Sequence, residues 1–276
     1  MKRRKNSKLT ARKTTFDKYE LYVNSVQSAE HDATLLLRMY RNAISTRGKK
    51  RVTLREDFCG TAALCFSWIN LGKEFKAIGV DIDQSAIDWG CARYDSSRAV
   101  RESGRLQLSC ADVMEFNPYR ADIICALNFS YYFIKDRQQL IQYFKLCRKR
   151  LTKTGLLILD SFGGPTYLAP HSDKRRNHQK KFDFWWDVES FDAITNEVKT
   201  HIHYKLDGQK IRKCVFSYDW RLWTIPEITD ALREAGFNTI EYWAEGVNAR
   251  GLGNGVFRKI RSEKNCESWV TYVTAR

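Results

Sequence analysis

Apolar and polar positions alternate along this chain in blocks whose period switches, and the switches delimit its elements. From Phe16 to Ala43 the residues Tyr19, Tyr22, Val23 and Val26, then Leu35, Leu36, Leu37 and Tyr40, recur at helical spacing. Ser28-Ala29-Glu30 marks a break between two helices. Val52-Thr53-Leu54 is a short buried-strand run, followed by a turn and an apolar helical pattern through Ala62, Ala63, Leu64, Phe66, Trp68 and Ile69 that stops at Gly72. Ala77-Ile78-Gly79-Val80 predicts a second strand closed by Asp81, and Asp83 stands where an N-cap belongs for a helix from Gln84 to Tyr94. Leu106 to Cys110, Ala121 to Leu127 and Leu156 to Leu159 predict three more buried strands, with an amphipathic helix from Arg137 to Leu151 before the last. Strands alternating with helices in this way imply an α/β chain with a parallel, doubly wound sheet.

Beyond Gly163 the period falls to two. Phe182 to Val188, Val198 to Leu206 and Ile211 to Trp220, with Asp207-Gly208 as a hairpin turn, predict a three-stranded antiparallel insertion. Thr224 caps a helix with Pro226 in its first turn and Ala235-Gly236 at its end. Thr239 to Trp243 and Trp269 to Thr274 then bracket a Gly-rich loop from Gly246 to Gly255 and bring the main sheet to seven strands. The implied organisation is a basic disordered tail (1–15), an N-terminal helical cap (16–46), a nucleotide-binding core (47–162), the antiparallel insertion (163–222), and the last part of the core sheet (223–276).

Composition bounds this picture. With 43% hydrophobic and 13% aromatic residues in 276, the chain can fill a core. No stretch approaches the ~20 apolar residues of a membrane span, and the N-terminus lacks the apolar run of a secretory signal. Eight cysteines without a C-x-x-C pair read as reduced thiols, most of them in the core, in a cytoplasmic protein. The net charge of +15 is localised. Residues 1–13 hold seven Lys or Arg and no acid, and the polar loop 171–181 holds five against Asp173. Such runs can grip a phosphate backbone, so nucleic acid stands as an alternative partner.

The strand, turn, helix and strand from Arg51 to Asp83 form a nucleotide-binding βαβ unit, and charge selects the nucleotide. The three places of G-x-G-x-x-G are held by Phe58, Gly60 and Ala63, and Glu56 at the first strand's end repels a pyrophosphate. A phosphate-free, cationic nucleoside reverses that logic. S-adenosylmethionine (SAM) has an ammonium for Glu56 and ribose hydroxyls for Asp81.

Glu56-Asp57-Phe58-Cys59-Gly60-Thr61-Ala62 resembles the first motif of class I SAM-dependent methyltransferases, and Gly79-Val80-Asp81-Ile82-Asp83 their second. The departures are Phe58 and Ala62, each where the family usually has glycine. LREDFCGTAAL, with RLWT and EAGF later, is similar to a bacterial group of such enzymes, over roughly Arg51 to Arg276. The resemblance implies a Rossmann-like methyltransferase fold and SAM held by Glu56, Cys59, Gly60, Thr61, Asp81, Ile82, Asp112, Val113 and Asn128, with Tyr22 or Tyr19 folding over it unless that helix simply packs on the core. Asp112 would accept from the adenine amine. Methyl transfer needs placement more than a catalytic signature, so Tyr131 and Arg221 stand as candidate catalytic residues, with Tyr132, Trp220, Trp223 and Glu245 as further wall residues. Arg221 either grips an acceptor anion or forms an internal ion pair. His201 and His203 share a strand face without a third ligand, so no metal site is predicted. The function the resemblance implies is methylation of an N or O atom of a small molecule, with the insertion (163–222) as an acceptor lid or dimer contact and a possible homodimer. The rivals are an RNA methyltransferase using its basic segments and a non-catalytic SAM-binding module.

Overall fold

The computed structural model describes residues 15–44, 51–94, 104–115, 119–247, 253–264 and 266–276. The basic tail 1–13 and part of the Gly-rich loop at 248–252 lie outside these residues. Two N-terminal helices, α1 (Lys18–Val23) and α2 (Ala29–Ala43), precede β1 (Val52–Asp57), α3 (Ala63–Asn70), β2 (Phe75–Asp81), α4 (Gln84–Tyr94), β3 (Leu106–Cys110) and β4 (Ala121–Ala126). A 3-10 turn at Ser130–Phe133, then α5 (Arg137–Arg150), leads into β5 (Leu151–Gly163). Four strands follow, β6 (His171–Asn177), β7 (Phe182–Asp192), β8 (Glu197–Leu206) and β9 (Arg212–Arg221). The chain closes with α6 (Ile225–Glu234), β10 (Ile240–Val247), β11 (Gly253–Ile260) and β12 (Trp269–Ala275).

The main sheet has the order β11-β10-β12-β5-β4-β1-β2-β3. Its five strands from β3 to β5 are parallel, and β12, β10 and β11 add to them antiparallel. All six residues of β4 are buried, because helices cover both faces of a parallel sheet. Strand order reverses between β1 and β4, so the crevice at their carboxyl ends is the natural place for a ligand.

Two expectations are corrected. The sheet has eight strands, because part of the Gly-rich segment pairs with β10 as β11. The insertion has four strands, β6-β7-β8-β9, because the stretch read as a polar loop pairs with β7 from His171 to Asn177. Its polar composition suits an edge strand, where charged side chains face solvent and discourage further pairing. Those charges are engaged: Lys174 meets Asp183, Arg175 meets Asp173, and Arg176 meets both Asp183 and Asp207.

Local signals explain the helix boundaries. Asp17 caps α1 by accepting from the backbone N–H of Tyr19 and Glu20. Thr224 and Glu227 form a reciprocal capping box at the start of α6, with proline in its first turn. α1 then lies as a strap between the two sheets. Tyr19 donates to Asp83 at 3.1 Å and Trp89 to Asp17 at 2.7 Å on one side, while Ser25 meets the Tyr204 hydroxyl at 2.8 Å on the other.

Candidate functional site

The turn after β1 carries left-handed backbone at Phe58 (φ 60°), Gly60 (φ 51°) and Ala62 (φ 56°). Two of these are the positions where the sequence lacks an expected glycine, so the turn keeps glycine geometry without glycine, and local strain is borne by the surrounding packing. Asp81 at the end of β2 holds this turn. One carboxylate oxygen accepts from the Gly60 N–H at 2.6 Å and the other from the Asp83 N–H at 2.8 Å. Asp83 in turn accepts from the N–H groups of Ser85 and Ala86, capping α4. Helix α4 approaches the turn so closely that a methyl group on Gly90 would lie 1.8 Å from the carbonyl oxygen of Thr61.

Above these strand ends is a cavity of about 490 Å³. One side, at the tips of β1, β2 and β3, is formed by Cys59, Gly60, Thr61, Asp81, Ile82, Asp83, Asp112 and Val113. Phe58 lies in the turn itself, Asn128 and Ser130 stand at the end of β4, and the opposite side is aromatic, with Tyr22, Phe133, Phe216 and Tyr218. The rings are interlocked. Tyr22 and Phe216 are 4.9 Å apart between centroids, and Tyr218 stacks on Trp220 at 4.4 Å. Burial pushes the Tyr22 phenol up to about 12, so it stays protonated. Neither histidine, lysine nor arginine lines the cavity among the described residues.

Nine of the ten predicted cofactor residues meet at this cavity: Cys59, Gly60, Thr61, Asp81, Ile82, Asp112, Val113, Asn128 and Tyr22. Glu56 does not reach its surface. It is 3% exposed, accepts from the Cys65 thiol at 3.1 Å, and burial pushes its carboxyl up to about 8. At neutral pH it is therefore a proton-bearing group behind the turn, where the sequence had suggested a facing carboxylate. Asp160 at the end of β5 is similar, raised by burial to about 7 while accepting from the N–H groups of Asn128 and Phe129.

The two proposed catalytic residues are placed elsewhere. Tyr131 is fully buried and donates to the carbonyl of Asp160 at 2.9 Å, anchoring the 3-10 turn from behind. Arg221 pairs with Glu227, donates to the carbonyl of Lys135 and lies 3.8 Å over the Trp223 ring. It is the internal ion pair, and it does not line the cavity. Tyr132, Trp220 and Trp223 are core residues, and Glu245 accepts from the Gly255 N–H in the β10–β11 hairpin. The wall is instead built by Phe133, Phe216 and Tyr218, which the sequence reading missed. The period-two alternation of β9 places Phe216 and Tyr218 on the same face as Trp220, so their signal is present in the sequence beside a residue already expected at the wall. His201 lies between Ser217 and Glu189, and among the described residues no three His, Cys, Asp or Glu side chains are placed to share a metal ion.

No family profile matches the chain, and no curated protein matches it in sequence. Solved structures do. An S-adenosylmethionine-dependent methyltransferase from Clostridium acetobutylicum superposes with a TM-score of 0.62 at 18% identity, over 93% of this chain and 96% of that one. CalS10 of Micromonospora echinaspora, a SAM-bound amino pentose methyltransferase of calicheamicin biosynthesis, gives 0.65 at 16% identity, over 96% and 99%. The CcbJ methyltransferase of Streptomyces caelestis gives 0.66 at 14%, over 92% and 97%. The fold is that of SAM-dependent methyltransferases. The cavity described here lies between the strand tips of the main sheet and β9 of the inserted sheet.

Proposed function

We propose that the chain transfers a methyl group from SAM to a nitrogen of a small-molecule acceptor. The observation that carries this reading is the two-sided cavity: carboxylates and backbone on one side, uncharged aromatic rings on the other. Asp81 and Asp112 would hold the ribose hydroxyls and the adenine amine, with the backbone at Gly60 admitting close approach. When bound, SAM would supply an activated methyl on a sulfonium to the acceptor nitrogen's lone pair.

The protein's part is placement, exclusion of water and stabilisation of charge. Tyr22, Phe216 and Tyr218 present ring faces that attract a nitrogen gaining positive charge. An alcohol acceptor would need a base near the rings, and the lining offers none, its carboxylates standing on the nucleoside side. A sugar N-methyltransferase and a glycopeptide N-methyltransferase share this fold, which is consistent with an amine. The RNA alternative loses support from β6, whose Lys174, Arg175 and Arg176 are already paired with acids. Residues 1–13 lie outside the described structure.

Calorimetry with SAM and with S-adenosylhomocysteine tests the cofactor half. Micromolar binding of both is expected, and absence of either sinks it. Incubation with methyl-labelled SAM and a pool of amino sugars and other uncharged-ring amines tests the acceptor half. Label recovered only on oxygen, or only on RNA, would overturn it.

A further inference from the structure

Arg150 closes α5 and is 2% exposed, an unusual place for a guanidinium. It makes no ion pair among the described residues; its Nη1 donates to the carbonyl of Val113 at 2.7 Å and its Nη2 to the carbonyl of Glu115, while its Nε has no partner. The acid in its neighbourhood, Asp57, is already engaged by Arg55 at 2.7 Å and by the Tyr143 hydroxyl at 3.1 Å. Burial, with Arg55 beside it, lowers the Arg150 pKa. A cation complementing the α5 dipole would not need burial, and Arg148 and Lys149 already serve that end of the helix from the surface.

What the guanidinium does hold is the loop after β3. Ala111 joins that loop to the sheet through the carbonyl of Asp81 at 2.9 Å. Asp112 closes it internally by accepting from the Met114 N–H at 2.8 Å, and the Glu115 N–H bonds back to the Asp112 carbonyl at 3.0 Å. Asp112 and Val113 face the cavity, while the carbonyls of Val113 and Glu115 turn away from it toward Arg150. Two parallel donors in a rigid fork fix both the position and the rotation of a short loop, which a lysine's single point charge cannot do.

We propose that Arg150 is a specificity-determining positioning residue, fixing the loop of Asp112 and Val113 in the register that reads the 6-amino group of an adenine nucleoside. The inference rests on the SAM reading of the cavity. Arg150 never meets the ligand, and it acts by holding the acceptor carboxylate of Asp112 where an amine donor must be.

The test compares two probes, S-adenosylhomocysteine and S-inosylhomocysteine, which differ in a 6-amino against a 6-oxo group. Calorimetry is run on wild type, Arg150→Lys, Arg150→Gln and Asp112→Asn. Wild type should prefer the adenosyl probe at least tenfold, and Asp112→Asn should lose that preference directly. Arg150→Lys and Arg150→Gln should narrow it to within about threefold, chiefly by weakening the adenosyl probe, with the melting transition still cooperative. A merely structural arginine would lower stability and leave the ratio of the two affinities unchanged. That unchanged ratio in a folded variant overturns the inference, as does failure of both variants to fold. Failure of wild type to bind either probe would instead remove the SAM reading itself.

Discussion

One wall of the cavity rests on the carboxyl ends of β1, β2 and β3, and it presents backbone N–H groups and the carboxylates of Asp81, Asp83 and Asp112. The opposite wall hangs from β9, the 3-10 turn and α1, and it works through rings. The three carboxylates of the first wall, Asp81, Asp83 and Asp112, are each fixed by directional hydrogen bonds at 2.6–3.2 Å from named backbone N–H groups. Members of the second are fixed by packing, as Phe216 is against Tyr22 and Tyr218 against Trp220. Directional contacts specify one ligand head group. Stacked rings specify a shape and a charge preference, and they tolerate a range of acceptors.

The comparison breaks most sharply at Gly90. Gly90→Ala places a methyl group 1.8 Å from the Thr61 carbonyl, so either α4 or the turn must move. Both are tied to Asp81 and Asp83, so the wall cannot yield at one point. A loss of ~3 kcal/mol in stability is expected, and of at least ~100-fold in S-adenosylhomocysteine affinity in whatever remains folded. Calorimetry and a melting curve read both. A variant binding within threefold of wild type would show that the first wall is softer than its hydrogen bonds imply.

Next in size is the pH dependence. The Glu56 carboxyl is raised from its ordinary range to about 8 by burial. Between roughly pH 4.5 and 8 the folded chain therefore keeps a proton that the unfolded chain has released, so stability falls as pH rises through that window. Asp160, raised to about 7, and Asp32, raised to about 6, both mainly by burial, act with the same sign. Glu56→Gln removes its share, and at pH 8 the variant should exceed wild type by ~1–3 kcal/mol, measured by denaturant unfolding at pH 5 and pH 8. A cationic ligand should also release protons on binding at pH 7, seen as a buffer-dependent calorimetric enthalpy. Equal slopes for variant and wild type would return Glu56 to the ionised state.

Asp81→Asn keeps the shape but turns one acceptor of the Gly60 and Asp83 N–H bonds into a donor. A loss of ~30-fold in S-adenosylhomocysteine affinity is expected, about 2 kcal/mol, since the charged acceptor and one backbone bond are lost together. On the other wall, Phe216→Ala and Tyr218→Ala should leave that affinity within threefold and lower amine methylation ~10-fold. The same loss in both measurements would mean that the two walls are a single site in energetic terms.

The first wall was legible in the sequence because its chemistry is local. Glu56 to Ala62 and Gly79 to Asp83 lie within a single βαβ unit, so spacing alone brings Gly60 to Asp81. Even there, Phe58 and Ala62 were read as departures, because a sequence does not display the positive φ that they keep. The second wall was not legible. Tyr131 and Arg221 are residue types that suit an acceptor, but long-range packing turns Tyr131 into the core and gives Arg221 to Glu227. Polar composition concealed β6 for a related reason, since an edge strand with solvated charges carries no apolar alternation to detect.

The smallest effect is expected where the walls are strapped together. Tyr19 donates to Asp83 at 3.1 Å and packs 5.8 Å from Trp89 between ring centroids. Tyr22, on the same helix, meets Phe216 of the second wall. Helix α1 thus joins the carboxylate side to the aromatic side of the cavity. Tyr19→Phe keeps the ring and removes a single half-exposed hydrogen bond, about 1 kcal/mol at most. Dissociation of S-adenosylhomocysteine should quicken ~3-fold while association changes less than twofold, as stopped-flow fluorescence of the neighbouring tryptophan can follow. A change carried wholly by association would place Tyr19 in the route of entry, with the strap already open before the ligand arrives.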